Sequence, residues 1–201
     1  MGPDACSGVV LCGGQSRRMG TDKALLETHG RTLLQHVCDV LQPHVSACYL
    51  ATGSEARYAE IGWPCLLDQV PEAGPLGGLH AALLGSATPW VLLVAVDMPA
   101  LDGAILDRLM QSVETGDQVV QFGNEDFPEP LCALYHRSVL PAVEAALNRG
   151  DRRMISFLGG LKPGAVRWLG SEPKQPGMRS LENVNGPSDW TRWRNAGEPG
   201  A

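Results

Sequence analysis

Trp90-Val91-Leu92-Leu93-Val94-Ala95-Val96 is the most apolar run in the chain, and it stops at Asp97. A half-solvated strand would alternate apolar and polar residues. A run that is apolar throughout reads instead as the central strand of a parallel sheet covered on both faces. Outward from it, short apolar runs alternate with helical spacings. Upstream lie a strand ending at Gly8 to Leu11, then a helix over Thr32 to Gln42 with Leu33, Leu34, Val37, Val40 and Leu41 on one face, stopped by Pro43. Strands at Ser46 to Ala51 and Pro64 to Leu67 enclose a polar helical stretch, Ser54 to Ile61, and Gly74-Pro75 opens a helix over Leu76 to Ser86. Downstream, Asp102 is placed to cap a helix over Leu101 to Val113. Strands at Gln118 to Phe122 and Leu131 to Tyr135 flank an irregular insert, Asn124 to Pro130. Helices over Arg137 to Asn148 and Arg152 to Leu158, an edge strand at Val166 to Leu169 and a last helix over Pro187 to Asn195 complete the chain. This order predicts an α/β fold, a three-layer α/β/α sandwich on a mostly parallel, doubly wound sheet. Residues 1–201 are expected to form a single domain, with a nucleotide-binding half over about 1–100 and an acceptor-binding half over about 101–195.

The chain has 201 residues, is 44% hydrophobic and carries a formal net charge of −6, enough for one substantial core and unsuited to nucleic acid or an anionic membrane surface. Its six cysteines contain no Cys-x-x-Cys pair and sit mostly in apolar runs, where a thiol acts as a small hydrophobe. No apolar stretch reaches membrane-spanning length. The expectation is a reduced, cytoplasmic protein without zinc and without a membrane or nucleic-acid partner.

In an open α/β sheet, ligands bind outside the carboxyl ends of the strands, and three features fall there. The first is Leu11-Cys12-Gly13-Gly14-Gln15-Ser16-Arg17-Arg18-Met19-Gly20-Thr21-Asp22-Lys23. Paired glycines allow close backbone approach and can aim N–H groups at an anion. Arginine adds planar forked donors, and lysine adds a compact charge. The segment is neither a P-loop, since Thr21-Asp22-Lys23 follows Gly20, nor a Gly-x-Gly-x-x-Gly fingerprint. It reads as a polyphosphate cradle; the alternative is a surface turn with solvated arginines. The second feature is Asp97, whose carboxylate suits a hard divalent cation that also binds phosphate oxygens, with a helix cap or turn as the alternative. The third is Asp68 with Gly74-Pro75-Leu76-Gly77-Gly78-Leu79, where backbone can approach a flat ring or simply make a tight helix entry.

The second half adds Arg149, Arg152 and Arg153 around an expected helix start, which would favour an anion. Asn183-Val184-Asn185 offers two amides on one side of an extended segment, for a polar heterocycle or a phosphate, or else for ordinary turn chemistry. His29, His36 and His44 have no metal-like spacing. Together these features suggest transfer of a phosphate-bearing group between two phosphorylated molecules. An acceptor phosphate is already anionic at neutral pH, so alignment and charge stabilisation would suffice. In-line attack on a nucleotide α-phosphorus would expel pyrophosphate, with Lys23 and Arg18 stabilising charge and magnesium held by Asp97.

The opening segment resembles that of nucleotidyltransferases acting on pterin cofactors and sugar phosphates. Gly74-Pro75-Leu76-Gly77-Gly78, Val96-Asp97-Met98-Pro99, Glu129-Pro130-Leu131-Cys132-Ala133-Leu134-Tyr135, Arg152-Arg153-Met154 and Asn183-Val184-Asn185 extend the likeness from about Val9 to Trp190. More narrowly, they are similar to the molybdenum cofactor guanylyltransferase family. The resemblance implies a Rossmann-like nucleotidyltransferase that joins GMP from GTP to molybdopterin. Leu11, Cys12, Gly13 and Gly14 would bind the nucleotide through backbone, Lys23 its phosphates, and Asp68, Gly77 and Gly78 its base or ribose. Asp97 would hold Mg2+, and Arg153, Asn183 and Asn185 would face the pterin. Two residues depart from the family pattern: Cys12 replaces a small Ala, and Ala51 stands where an Asn is expected, with Thr52 a partial substitute. A monomer is expected, in transient contact with proteins that donate the cofactor and with molybdoenzymes that receive it. The rival readings are a cytidylyltransferase for the same pterin, a guanylyltransferase for another phosphorylated acceptor, and a non-catalytic nucleotide-binding adaptor.

Overall fold

Seven strands form one sheet in the computed structural model, which describes residues 1–13, 22–28, 30–170 and 181–195. In chain order the elements are β1 (Cys6–Leu11), the short pair β2 (Glu27–Thr28) and β3 (Arg31–Thr32), α1 (Leu33–Leu41), β4 (Ala47–Gly53) and β5 (Cys65–Leu67). They continue with α2 (Gly74–Gly85), β6 (Trp90–Ala95), α3 (Gly103–Gln111), β7 (Val119–Gly123), β8 (Pro128–His136), α4 (Leu140–Asn148), β9 (Val166–Leu169) and α5 (Pro187–Asn195). The sheet runs β5-β4-β1-β6-β8-β7-β9, so the apolar run does lie at its centre, with every residue of β6 buried. β6 is parallel to β1 and antiparallel to β8, which pairs antiparallel with β7 as well. The sheet is otherwise parallel, and strands from both halves of the chain share it.

Helices cover both faces, as full burial of β6 requires. On one face Leu33, Leu34 and Val37 of α1 and Ile105, Leu106 and Leu109 of α3 pack with Leu92, Val94, Phe122 and Cys132. On the other, Leu76, Leu79 and Leu83 of α2 and Val143, Ala146 and Leu147 of α4 pack with Val9, Leu93 and Tyr135. Local signals set the helix starts. Thr32 and Gln35 form a reciprocal capping box, and Asp102 accepts from Ile105 N at 3.1 Å. All six cysteines are free thiols. Among the described residues no helix is long and apolar enough to cross a membrane.

Three local expectations are corrected. Ser54 to Ile61 is not a helix: Tyr58 takes a left-handed φ of 61°, and only Ala59–Ile61 makes a single 3-10 turn. The Tyr58 hydroxyl is drawn to Asp22 and to the Cys12 carbonyl, tertiary bonds that outweigh helical preference. Arg152 to Leu158 is a series of turns leading into a 3-10 turn at Leu158–Gly160. Its apolar spacing is met by one turn, which buries Met154 and Phe157. Asn124 to Pro130 is less irregular than expected, since β8 already begins at Pro128. The connection is a hairpin turn in which the Asn124 side chain accepts from Asp126 N and Phe127 N, each at 2.9 Å.

Candidate active site

At the carboxyl edge of the sheet, β6 delivers Asp97 just past its last residue. The Asp97 carboxylate accepts from Lys23 Nζ at 3.1 Å, and the same ammonium donates to Asn185 Oδ1 at 3.4 Å. The backbone N–H of Val184 donates to the Asp97 carbonyl at 2.9 Å, tying the segment before α5 to the end of β6. Lys23 itself begins a 3-10 turn, Lys23–Leu25, capped by Asp22 through Ala24 N at 3.1 Å. Of the expected site residues, the structure therefore brings Lys23, Asp97 and Asn185 together. Side chains of both members of the ion pair are less than a fifth exposed, so their attraction is only partly screened.

Among the described residues, two oxygens there are buried without a hydrogen-bond partner: Asp97 Oδ1 and Asn183 Oδ1. An orphaned buried acceptor costs free energy, and such atoms in a native fold call for a bound partner. The donor set is all oxygen, which suits a hard cation such as magnesium, and the Lys23 ammonium already lies beside it, between Asp97 Oδ2 and Asn185 Oδ1. No cluster of three or more His, Cys, Asp or Glu side chains suited to a metal occurs among the described residues. A magnesium ion here would complete its shell with substrate phosphate and water, as that ion commonly does.

The end of β1 leads into the glycine-rich segment expected to cradle phosphate. Cys12 N donates to Ala51 O at 3.0 Å, Cys12 O accepts from the Tyr58 hydroxyl at 3.3 Å, and Leu11 O accepts from Val96 N at 3.1 Å. These groups, expected to serve a nucleotide, are already committed to the sheet and to Tyr58. Each of the two carbonyls accepts one such bond and keeps a second lone pair facing the strand end. The Cys12 thiol is buried, which pushes its pKa up to about 12 and leaves it an unreactive packing group. Gly13 is indispensable for space: a Cβ there would meet Gly53 N at 2.3 Å and the Thr52 carbonyl carbon at 2.4 Å. The side chain of Thr52 is buried, and its hydroxyl donates to Glu55 O at 2.6 Å, so it closes a turn instead of replacing the expected Asn.

Asp68 and the start of α2 form the neighbouring wall. A Cβ on Gly77 would lie 3.1 Å from Asp68 Oδ2 and 2.7 Å from Ala73 Cβ, and one on Gly78 would lie 2.4 Å from Leu11 Cδ2. The two glycines let α2 press against Asp68 and the end of β1. Asp68 Oδ1 is buried without a partner; burial raises its carboxyl above the usual carboxylate range, opposed by His80.

Gly14 and Arg18, with Arg17 and Gly20, lie outside the described residues, as does His29. Arg153 is not joined to the centre. No helix starts there, and its guanidinium and backbone N–H both turn to Asp151, at 2.8 to 3.1 Å. Sequence reasoning missed Asp22, Arg57 and Tyr58. Asp22 pairs with Arg57 and accepts from the Tyr58 hydroxyl at 2.8 Å, and Arg57 lies over the Tyr58 ring. The adjacent Asp22-Lys23 was a hint for Asp22 alone; an Arg-Tyr pair in a polar stretch carries no signal of its own. Val184 carries no sequence signal of its own, since it contributes a backbone N–H to Asp97 and an ordinary buried apolar side chain.

Comparison with known proteins places these features. A family model described as a MobA-like NTP transferase domain matches residues 8–163. The molybdenum cofactor guanylyltransferase of Vibrio cholerae is 36% identical over 156 residues, 76% of this chain and 76% of that protein. The protein of that name from Serratia proteamaculans is 32% identical over 192 residues, 94% of this chain and 93% of its own length. Among solved structures, molybdopterin-guanine dinucleotide biosynthesis protein A from Archaeoglobus fulgidus superposes with a TM-score of 0.77 at 25% identity, covering 92% of this chain and 95% of that one.

Proposed function

The chain belongs to the MobA-like NTP transferase family and is a nucleotidyltransferase, and on that footing we propose that it transfers GMP from GTP to the terminal phosphate of molybdopterin. The observation that carries this reading is the meeting of Lys23, Asp97 and Asn185 at one edge of the sheet, beside the glycine-opened wall of Asp68 and α2. A cation, a carboxylate and unpaired oxygens beyond the carboxyl ends of the strands suit phosphoryl chemistry.

An oxygen of the acceptor phosphate forms a bond to the α-phosphorus of GTP. The bond from that phosphorus to the α–β bridging oxygen breaks, and its electron pair leaves with pyrophosphate. No proton need be removed from the acceptor, because its phosphate is anionic at neutral pH. Lys23, released from Asp97 by the incoming nucleotide, would lie against the phosphates and stabilise the charge that develops in transfer. Asp97, with Asn185, would hold a magnesium ion, which supplies charge neutralisation across phosphate oxygens when bound. Asp68 and the α2 entry would border the base or ribose, and residues 181–186 would border the acceptor.

Purified protein incubated with magnesium, molybdopterin and either GTP or CTP should release pyrophosphate with GTP alone. Release with CTP instead would identify a cytidylyltransferase. Tight GTP binding without turnover would identify an adaptor.

A further inference from the structure

Glu129 has no role in the chemistry above, yet it stands at the reaction edge. In the β6–β8 register Val94 lies opposite Cys132, so Asp97 and Glu129 are both three residues beyond that pair, at the same edge of the sheet. Across β7 and β8 the register shifts between Gln121, opposite Ala133, and Phe122, and beyond that shift Glu129 is directly opposite Phe122. Directly opposed residues share a face, and Phe122 packs on the face covered by α1 and α3. Leu181, two residues before Asn183, packs into that same cluster. Glu129 therefore lies on the acceptor side of the centre, on the face that also carries the segment with Asn183.

Its surroundings are unusual for a glutamate. The side chain is half-buried, and among the described residues it is joined to no cation and no hydrogen-bond donor. Burial raises its carboxyl above the ordinary range. The charges that bear on the adjacent Cys132 thiol are those of Glu129 and Asp102, both negative. Arg108 lies on the same face, but its guanidinium is over the Phe122 ring, 5.2 Å from the centroid, and among the described residues Asn183 Oδ1 is a second acceptor left without a donor. A ligand that fits must bring N–H groups.

We propose that Glu129 reads the acceptor's ring, its carboxylate accepting the adjacent N3–H and 2-amino N–H donors of a 2-amino-4-oxopteridine. The two carboxylate oxygens match two parallel N–H donors, as they do in bidentate pairing with a guanidinium. Asn183 Oδ1 is a further acceptor on the same side. The inference rests on the proposed use of molybdopterin and names the residue that would make the site specific for its pterin.

Steady-state pyrophosphate release with GTP, magnesium and molybdopterin tests it, with 6-hydroxymethylpterin and 6-hydroxymethyllumazine as competing inhibitors. The lumazine carries a 2-oxo group, an acceptor, where the pterin carries an amino group. The wild-type protein should be inhibited better by the pterin. Glu129→Gln, which offers one acceptor and one donor, should raise KM for molybdopterin about tenfold or more and reverse the order of the two inhibitors. Its kcat and its KM for GTP should stay within about twofold. Glu129→Asp, which keeps the carboxylate, should keep the wild-type inhibitor order even if its fold is weakened. An unchanged KM and inhibitor order in Glu129→Gln would overturn the assignment while guanylyl transfer stands. Absence of pyrophosphate release from the wild-type protein with saturating GTP and molybdopterin would overturn the underlying reading, and this inference with it.

Discussion

Asp97 and Asp68 are both carboxylates at strand ends, and their surroundings separate them. Asp97 faces Lys23 at 3.1 Å, whereas burial is the main influence on Asp68, with only His80 opposing it. Lys23→Ala and Asp97→Asn should each lower turnover about 10²-fold or more, the size seen when one preorganised charge partner is removed. Circular dichroism should show both variants folded, since neither side chain belongs to a packed cluster. Normal turnover in Asp97→Asn would remove the metal assignment, and unchanged GTP affinity and turnover in Lys23→Ala would remove the cradle.

For Asp68 the raised carboxyl has a consequence for stability. Below about pH 4 the group is protonated in both folded and unfolded chains. As pH rises from there through its raised folded value, the native state holds the proton longer, so stability falls. Asp68→Asn removes that contribution. In the absence of nucleotide the variant's Tm should fall less over the mildly acidic range, and at neutral pH the variant should melt higher than the wild type while binding GTP more weakly. Thermal unfolding across that range checks the sign; parallel curves for the two proteins would refute it. Glu129 adds a fall of the same sign in both proteins and does not affect the comparison.

Among elements, the junction of β1 and β4 leaves no room for a side chain. A Cβ on Gly13 would strike backbone, Gly53 N at 2.3 Å and the Thr52 carbonyl carbon at 2.4 Å, so the strand ends must part. Gly13→Ala should cost about 1–3 kcal/mol and weaken GTP binding, read by chemical denaturation and titration. Gly78→Ala meets only the Leu11 side-chain tip, which can swing, and should cost less. α1 and α3 were legible in sequence because their apolar spacing and their caps, Thr32 and Asp102, are local signals. Ser54 to Ile61 misled because Tyr58 is held by residues far off in the chain. Arg152 to Leu158 misled because one turn already buries Met154 and Phe157, so the helix start expected there does not form.

For the whole molecule, the centre is assembled from segments that meet only in the fold. Lys23 is 74 residues from Asp97 and 162 from Asn185. The Val184 amide is what docks residues 181–186 onto the end of β6. Val184→Pro removes that donor. Turnover should fall about tenfold or more while GTP affinity changes little, and equal losses in both would show that the segment serves the nucleotide rather than the acceptor.

The amino-acid sequence by itself determined the layered α/β architecture, the central place of Trp90–Ala95, the helix caps and the candidacy of Lys23 and Asp97. Each of these follows from periodicity, composition or capping within a few residues, and such preferences act locally. Only the tertiary structure decided that Asn185 shares the ammonium of Lys23 with Asp97, that Thr52 and Arg153 are engaged elsewhere, and that Tyr58 and Asp22 join at the cradle's edge. Those outcomes depend on strand order and on which polar atoms lose water. An oxygen such as Asp97 Oδ1 becomes an unsatisfied acceptor only once distant segments close over it.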